Sequence, residues 1–185
     1  MIILASGSPR RRELMKQITN DYKVITSDID EEKSYNLPPL EAVLDIAKRK
    51  GEKVHQEYPN DIVISADTIV VLNGKIVGKP KNKEHSIQIL KELNGSLHKV
   101  YTGVTILSDN KKFVFYDVAK VKMQKLSDDK LKTLFGKHMD KAGAYAVQDK
   151  DDCFVKKIYG DYYTVVGMPY IKLKKELKKF KIYLK

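Results

Sequence analysis

Hydrophobic positions along the chain follow two rhythms, and the change from one to the other marks most of the elements. Ile2, Ile3, Leu4 and Ala5 form a short apolar run that reads as a strand. Leu14, Met15 and Ile18 are spaced for one face of a helix, and Ser8 followed by Pro9 sets its start. Lys23 to Thr26 reads as a second short strand. Leu40, Val43, Leu44, Ala47 and Val54 line one face of a helix from about Leu40 to Gln56. Ile62 to Ala66 is a buried strand, and Ile69 to Leu72 runs extended into Asn73-Gly74, the pair favoured in two-residue hairpins. Lys83 to Asn94 reads as a helix, with Gly95 placed to close it.

The second half is richer in strands. His98 to Leu107 and Phe113 to Gln124 are joined by the polar turn Ser108-Asp109-Asn110. Leu126 and Leu131 flank Ser127 as a hydrophobic staple around an N-cap, with Asp128 and Asp129 in the first turn. Ala144 to Gln148 and Phe154 to Ile158 predict a strand pair, and a last helix starts at Pro169. Helices and strands alternate early and antiparallel strands follow. This order predicts one α/β domain over residues 1–185, with a mixed, mostly antiparallel, elongated sheet flanked by helices.

Composition narrows the class. With 185 residues and 42% hydrophobic content the chain can bury a sizeable core. It has no run of 18 apolar residues and no basic-then-apolar leader, so neither a membrane span nor a secretory signal is expected. Cys153 is the only cysteine, which excludes an internal disulfide and fits a reducing, cytoplasmic setting. The net charge of +11 raises a nucleic-acid reading, but +6 of it lies in Lys172 to Lys185. There Leu173, Leu177 and Phe180 mark an apolar helix face, and the lysines form its solvated side. No stable nucleic-acid complex is expected.

Candidate chemistry gathers on carboxylates and cations. Asp28, Asp30, Glu31 and Glu32 fall in the polar loop "SDIDEEKSYNLPP", either as a solvated acidic loop or as a source of hard oxygen ligands. In "ISADTIVV", Asp67 ends an apolar strand, where a carboxylate must be paired, hydrogen-bonded or metal-bound. It is a candidate metal ligand or general base. Lys79 stands between Gly78 and Pro80 and can act as a point charge on a phosphate, although no P-loop motif exists. His55, His85, His98 and His138 show no zinc spacing, and His98 reads as structural or as a hydrogen-bonding group near the site. Cys153 stands beside Asp151 and Asp152, neighbours that oppose a thiolate nucleophile. Arg10, Arg11 and Arg12 crowd the first turn of a helix, where the dipole is already positive.

Six segments in order carry a resemblance over nearly the whole chain: "LASGSPRRREL", "DIDEE", "SADTIVVLNGKIVGKP", "LNGSLHKVYTGV", "DKAGAYAVQ" and "IYGDYYTVVGMP". In them the chain resembles the Maf family of nucleoside triphosphate pyrophosphatases. The resemblance implies an α/β fold related to the inosine-triphosphate pyrophosphatase group, with a cleft across the sheet. It implies hydrolysis of a nucleoside triphosphate to the monophosphate and pyrophosphate with a divalent cation, Mg²⁺ or Mn²⁺. Asp67 would be the general base, and Glu31 with Asp67 would hold the metal. Ser8, Arg10, Arg11, Lys50 and Lys79 would line the phosphate path, an array suited to a reaction that runs on positioning and electrostatics. A triphosphate bound at the helix start would resolve the crowding of the arginines, leaving Arg12 as a solvated neighbour.

Three positions divide the family's substrate classes. Arg10, Thr68 and Gln148 match the class similar to the dTTP/UTP pyrophosphatases, whereas the 7-methyl-GTP class carries Trp, Gln and Glu there. The alternatives are a 7-methyl-GTP or inosine-type triphosphate pyrophosphatase, or a cell-division regulator that acts by binding. No motif encodes an oligomeric state; a homodimer would be in keeping with the family. Gly51, Thr164, Met168 and Asp149 depart from the usual family pattern, which commonly has Ala, Asn, Leu and Gly at these places.

Overall fold

The computed structural model describes residues 1–109 and 111–180. The first half comprises β1 (Ile2–Leu4), α1 (Pro9–Lys16), β2 (Lys23–Val24), α2 (Pro39–Glu57), β3 (Ile62–Leu72), β4 (Lys75–Val77) and α3 (Lys83–Leu93). The second comprises β5 (Leu97–Ser108), β6 (Lys111–Met123), α4 (Asp128–Lys132), β7 (Val155–Tyr159), α5 (Tyr162–Val166) and α6 (Tyr170–Leu177). The strands form one mixed sheet in the order β2-β1-β3-β5-β6-β7, with β4 added to the far end of β3. β1 runs parallel to β2 and β3, and the remaining pairs are antiparallel. Among the described residues no helix is long and apolar enough to cross a membrane.

Local signals fall where the sequence places them. Ser8 accepts from the Arg11 amide at the start of α1, and Ser127 accepts from the Lys130 amide at the start of α4. Asn73 and Gly74 both take positive φ in the β3–β4 hairpin, as its two-residue turn requires. Where the expected Ile62–Ala66 strand and Ile69–Leu72 extension met, the structure has one strand. β5 pairs through the junction, with Asp67 opposite Gly103 and Thr68 opposite Thr102.

The expected strand pair at 144–148 and 154–158 is not formed. Gly143 and Ala144 have φ of 74° and 55°, outside the extended region, and Ala142–Ala144 is a turn of 3₁₀ helix. Val155–Tyr159 instead pairs with β6 at the sheet edge. α5 is absent from the sequence reading, because "YYTVV" has a strand-like composition. It is started by Asp161, whose carboxylate accepts from the Tyr163 amide at 2.9 Å. The last helix begins at Tyr170 with Leu173 and Leu177 fully buried, and residues 181–185 of the basic segment lie outside the described residues.

Helices cover both faces of the sheet, and the two-residue period of β3 divides its side chains between them. Ile64 and Ala66 pack with Leu14 and Met15 of α1 and with Leu173 and Leu177 of α6. Val63 packs with Val54, and Ile69 and Val71 with Val43, both of these partners on α2. α2 lies unusually close to the sheet. A Cβ on Gly103 would stand 2.9 Å from the Val43 carbonyl oxygen, and one on Gly51 would stand 2.6 Å from Ser65 Oγ. Gly51 therefore has a packing reason, and Ser65 donates its hydroxyl to the Ala47 carbonyl at 2.6 Å in the space it leaves.

Candidate active site

A cleft of about 420 Å³ opens beside the middle of β3 and the start of α1. Ser8, Arg10, Arg11, Glu31, Lys50, Asp67, Thr68 and Lys79 all line it. These residues come from two helices, three loops and one strand, so the fold brings together eight of the nine expected positions. The ninth, Gln148, is exposed in the turn after Val147; Val147 lines the cleft and Gln148 does not.

On the α2 side, Lys50 is the centre. Its Nζ lies 2.7 Å from Asp67 Oδ1 and 2.8 Å from Glu31 Oε1, and Lys79 Nζ stands 3.7 Å from Glu31 Oε2. The Lys50 side chain is 11% exposed and that of Asp67 only 7%, so this pair is well shielded from water. Burial alone would raise the Glu31 carboxyl, but Lys50, Lys79 and Arg11 together hold it below the ordinary carboxylate range. Of the acidic loop only Glu31 turns inward to the cleft's cations. Asp30 pairs with Lys33 and Glu32 with Lys81 at the surface.

On the other side of β3, Arg11 is held by three acceptors. Its Nε donates to the Gly167 carbonyl at 2.8 Å, one terminal nitrogen to Ser6 Oγ at 3.3 Å, and the other to Thr68 Oγ1 at 3.1 Å. Burial lowers the affinity of its guanidinium for the proton; Asp67 opposes this, Arg10 reinforces it and Glu31 opposes it. Burial also lowers Arg10, with Asp140 opposing. Two partly desolvated guanidinium groups thus stand at the positive end of α1, an arrangement that an anion would relax. Arg12 departs from the expected solvated neighbour: it is half-buried, and its Nε has no hydrogen-bond partner among the described residues.

Tyr35, Asp140, Tyr145 and Val147 also line the cleft, and none of them was expected at the site from the sequence. Tyr35 sits in the acidic loop, where burial and then Asp67, Glu31 and Glu32 push its phenol up. An aromatic residue within "EEKSYNLPP" was the available signal. His98, expected to be structural or a hydrogen-bonding group near the site, does not line the cleft but bonds Tyr145, which does. It is buried, its Nε2 lies 2.8 Å from the Tyr145 hydroxyl, and burial lowers its ring to about 4, so it is neutral.

Three departures from the family pattern also find their reasons. Asp149 pairs with Lys137 at 3.0 Å, beside the 2.7 Å contact of His138 with Asp152, and so clasps the 149–152 turn. His138, Asp149 and Asp152 could offer metal ligands, and Lys137 pairs with both carboxylates of that cluster. Thr164 donates its hydroxyl to Asp117, and Met168 is fully buried in the core against α1 and α6.

This architecture has counterparts. The Staphylococcus aureus Ham1 protein superposes with a TM-score of 0.57 at 17% identity, covering 97% of this chain and 98% of that one, which shows a shared fold. A protein of Elusimicrobium minutum named dTTP/UTP pyrophosphatase is 45% identical over 97% of this chain and 98% of its own length. Proteins of the same name from Dictyoglomus turgidum and Bacillus cereus are 44% and 39% identical over 97% and 98% of this chain, and over 95% and 96% of their own lengths. The sequence model of the Maf-like proteins matches residues 1–180, and with that match and these full-length relatives the chain belongs to the Maf family.

Proposed function

We propose that this protein hydrolyses the α–β phosphoanhydride of dTTP and UTP, releasing the nucleoside monophosphate and pyrophosphate. The observation that carries the reading is the convergence of Arg10, Arg11, Lys50 and Lys79 with two carboxylates, Glu31 and Asp67, in one cleft. A triphosphate needs dense positive charge along its length, and a hydrolytic step needs a base beside it. The names carried by the full-length relatives support the same substrate class.

Asp67 is the base in this reading. It lines the cleft, it is nearly buried, and Lys50 orients its carboxylate through Oδ1, leaving the other oxygen to take a proton from the attacking water. Arg10, Arg11, Lys79 and the start of α1 with Ser8 bind the phosphates and stabilise the charge that develops on departing pyrophosphate. Arg10 and Thr68 line the cleft, and Gln148 follows the lining residue Val147. The Gln148 amide both donates and accepts, as a pyrimidine edge requires.

The donor set also fits a divalent cation. Glu31 and Asp67 bring two carboxylates together around Lys50 Nζ, at 2.8 and 2.7 Å, and Mg²⁺ or Mn²⁺ takes one or two such carboxylates together with substrate phosphates, through oxygens that Lys50 does not hold. Bound there, the cation would supply Lewis-acid polarisation of the phosphoryl oxygens.

The test is turnover of a nucleotide panel with Mg²⁺ or Mn²⁺, with the products identified. Monophosphate and pyrophosphate from dTTP and UTP are expected. Orthophosphate plus diphosphate would defeat α–β cleavage, a preference for 7-methyl-GTP or inosine triphosphate would defeat the pyrimidine assignment, and binding without turnover would point to a regulator.

A further inference from the structure

Thr102 lies on β5 between Thr68 on β3 and Asp117 on β6, and the three are register partners across the sheet. It is fully buried and does not line the cleft. Its hydroxyl nevertheless belongs to a chain of hydrogen bonds that ends on Arg11. Thr102 Oγ1 donates to the Thr164 carbonyl at 2.7 Å and lies 2.9 Å from Thr68 Oγ1. Thr68 Oγ1 in turn accepts from Arg11 at 3.1 Å.

Counting protons fixes the direction of every bond. Arginine only donates, and each hydroxyl has one hydrogen. The Thr102 hydrogen is committed to the Thr164 carbonyl, since otherwise two buried oxygens would face each other at 2.7 Å without one. Thr68 must therefore donate to Thr102, which leaves its lone pairs for Arg11. The Thr68 hydroxyl is thus spent on the protein, and its influence on a ligand passes through Arg11. Three of the five Arg11 N–H groups are directed at Gly167, Ser6 and Thr68, which leaves two for an anion.

We infer that Thr102 is a positioning residue: by fixing the proton order along Thr102 and Thr68, its hydroxyl sets the aim of Arg11 into the cleft. The chain also docks the loop that Arg11 leans on. Thr164 is tied by its carbonyl to Thr102 and by its hydroxyl to Asp117, and Gly167, three residues on, supplies the carbonyl for Arg11 Nε. Gly167 has φ of 120°, a backbone conformation that strains any side chain, and a Cβ there would lie in contact with Thr68 Oγ1 at 3.4 Å and Arg11 Nε at 3.5 Å. Without the Thr102 hydroxyl, the nearest other acceptor for Thr68 is the Gly167 carbonyl at 3.5 Å, which Arg11 already uses at 2.8 Å. Competition for that carbonyl would turn the guanidinium.

As a statement about catalysis the inference rests on the proposed pyrophosphatase activity, so its test has two readouts. Thr102→Val keeps shape and loses the hydroxyl; Thr102→Ser restores it. The first readout is the Arg11 Nε–H signal by NMR, which is expected to shift and exchange faster in Thr102→Val and to return in Thr102→Ser. The second is kcat/KM for dTTP and UTP, expected to fall about tenfold in Thr102→Val through misalignment and to recover in Thr102→Ser. On an Arg11→Lys background Thr102→Val should add less than about twofold, since both act through one group. An Arg11 signal unchanged in Thr102→Val overturns the inference whatever the turnover, as does a full, additive loss on Arg11→Lys. If Thr102→Val does not fold, Thr68→Val removes the next hydroxyl and must move the same signal. A wild-type protein that turns over neither nucleotide defeats the activity reading, and the Arg11 signal still decides the role of Thr102.

Discussion

The Lys50 ammonium lies 2.7 Å from the Asp67 carboxylate because α2 packs onto β3 and β5 at a distance only glycine permits. Gly51 adjoins Lys50 in the helix, and Gly103 is the register partner of Asp67 in the sheet. The same close approach that builds the core thus places a cation on the proposed base and joins it to Glu31, from a loop far away in sequence.

Asp67→Asn keeps the size of the side chain and removes the proton acceptor. Turnover of dTTP and UTP should fall by about 10²–10⁴-fold, the usual contribution of a positioned base, while the circular dichroism spectrum is unchanged. An active, well-folded Asp67→Asn protein would remove this residue from the base role.

Lys50→Met leaves Glu31 and Asp67 facing each other with less positive charge between them. A fully buried pair broken in this way costs about 3–5 kcal/mol, and the partial exposure of Glu31 reduces the expectation to about 2 kcal/mol. Mg²⁺ or Mn²⁺ should raise the melting temperature of Lys50→Met more than that of the wild type. Equal metal responses would argue against a cation site on these two carboxylates.

Gly51→Ala sets helix propensity against packing. Alanine should favour α2 by about 1 kcal/mol, but its Cβ would meet Ser65 Oγ at 2.6 Å, and overpacking costs about 1–3 kcal/mol. Net destabilisation is expected in denaturant titrations. Adding Ser65→Ala opens the space and should recover much of the loss; no recovery would place the strain elsewhere.

His98 carries a pH signature. Burial lowers its ring to about 4 in the folded protein, below its ordinary value of 6.5, so the unfolded chain takes up the proton first on acidification. Its contribution is complete above pH 6.5 and is lost as the pH falls from 6.5 to about 4, amounting to about 3 kcal/mol at most. His98→Gln should lower stability at pH 7 and flatten this part of the profile, so that the two proteins converge near pH 4. Parallel profiles would show that the folded protein takes up the His98 proton as readily as the unfolded chain.

Much of this was legible in the chain, for reasons that differ from element to element. Ser8-Pro9, Asn73-Gly74 and Ser127 signal through contacts within a few residues, and each stands where its local chemistry places it. The expected site residues were legible by kind, because a carboxylate at the end of an apolar strand or a cation in a tight loop needs a partner. The family resemblance supplied which of them belong together.

Local patterning failed where backbone conformation or long-range pairing overrode it. Tyr145 to Val147 alternates with Gly143 and Ala144 like a strand, yet two left-handed residues turn it into a cleft wall. "YYTVV" has strand composition and forms a helix because Asp161 caps it and Gly167 ends it.

By itself the sequence determined the starts of α1 and α4, the β3–β4 turn, the α/β class, the family and the residue types of the candidate site. Only the tertiary structure decided that adjacent Asp67 and Thr68 divide between two faces of β3, one meeting Lys50 and the other Arg11. It also decided that buried Thr102 stands behind that arginine. Strand register and helix approach are set by contacts between residues distant in the chain, and no local spacing records them.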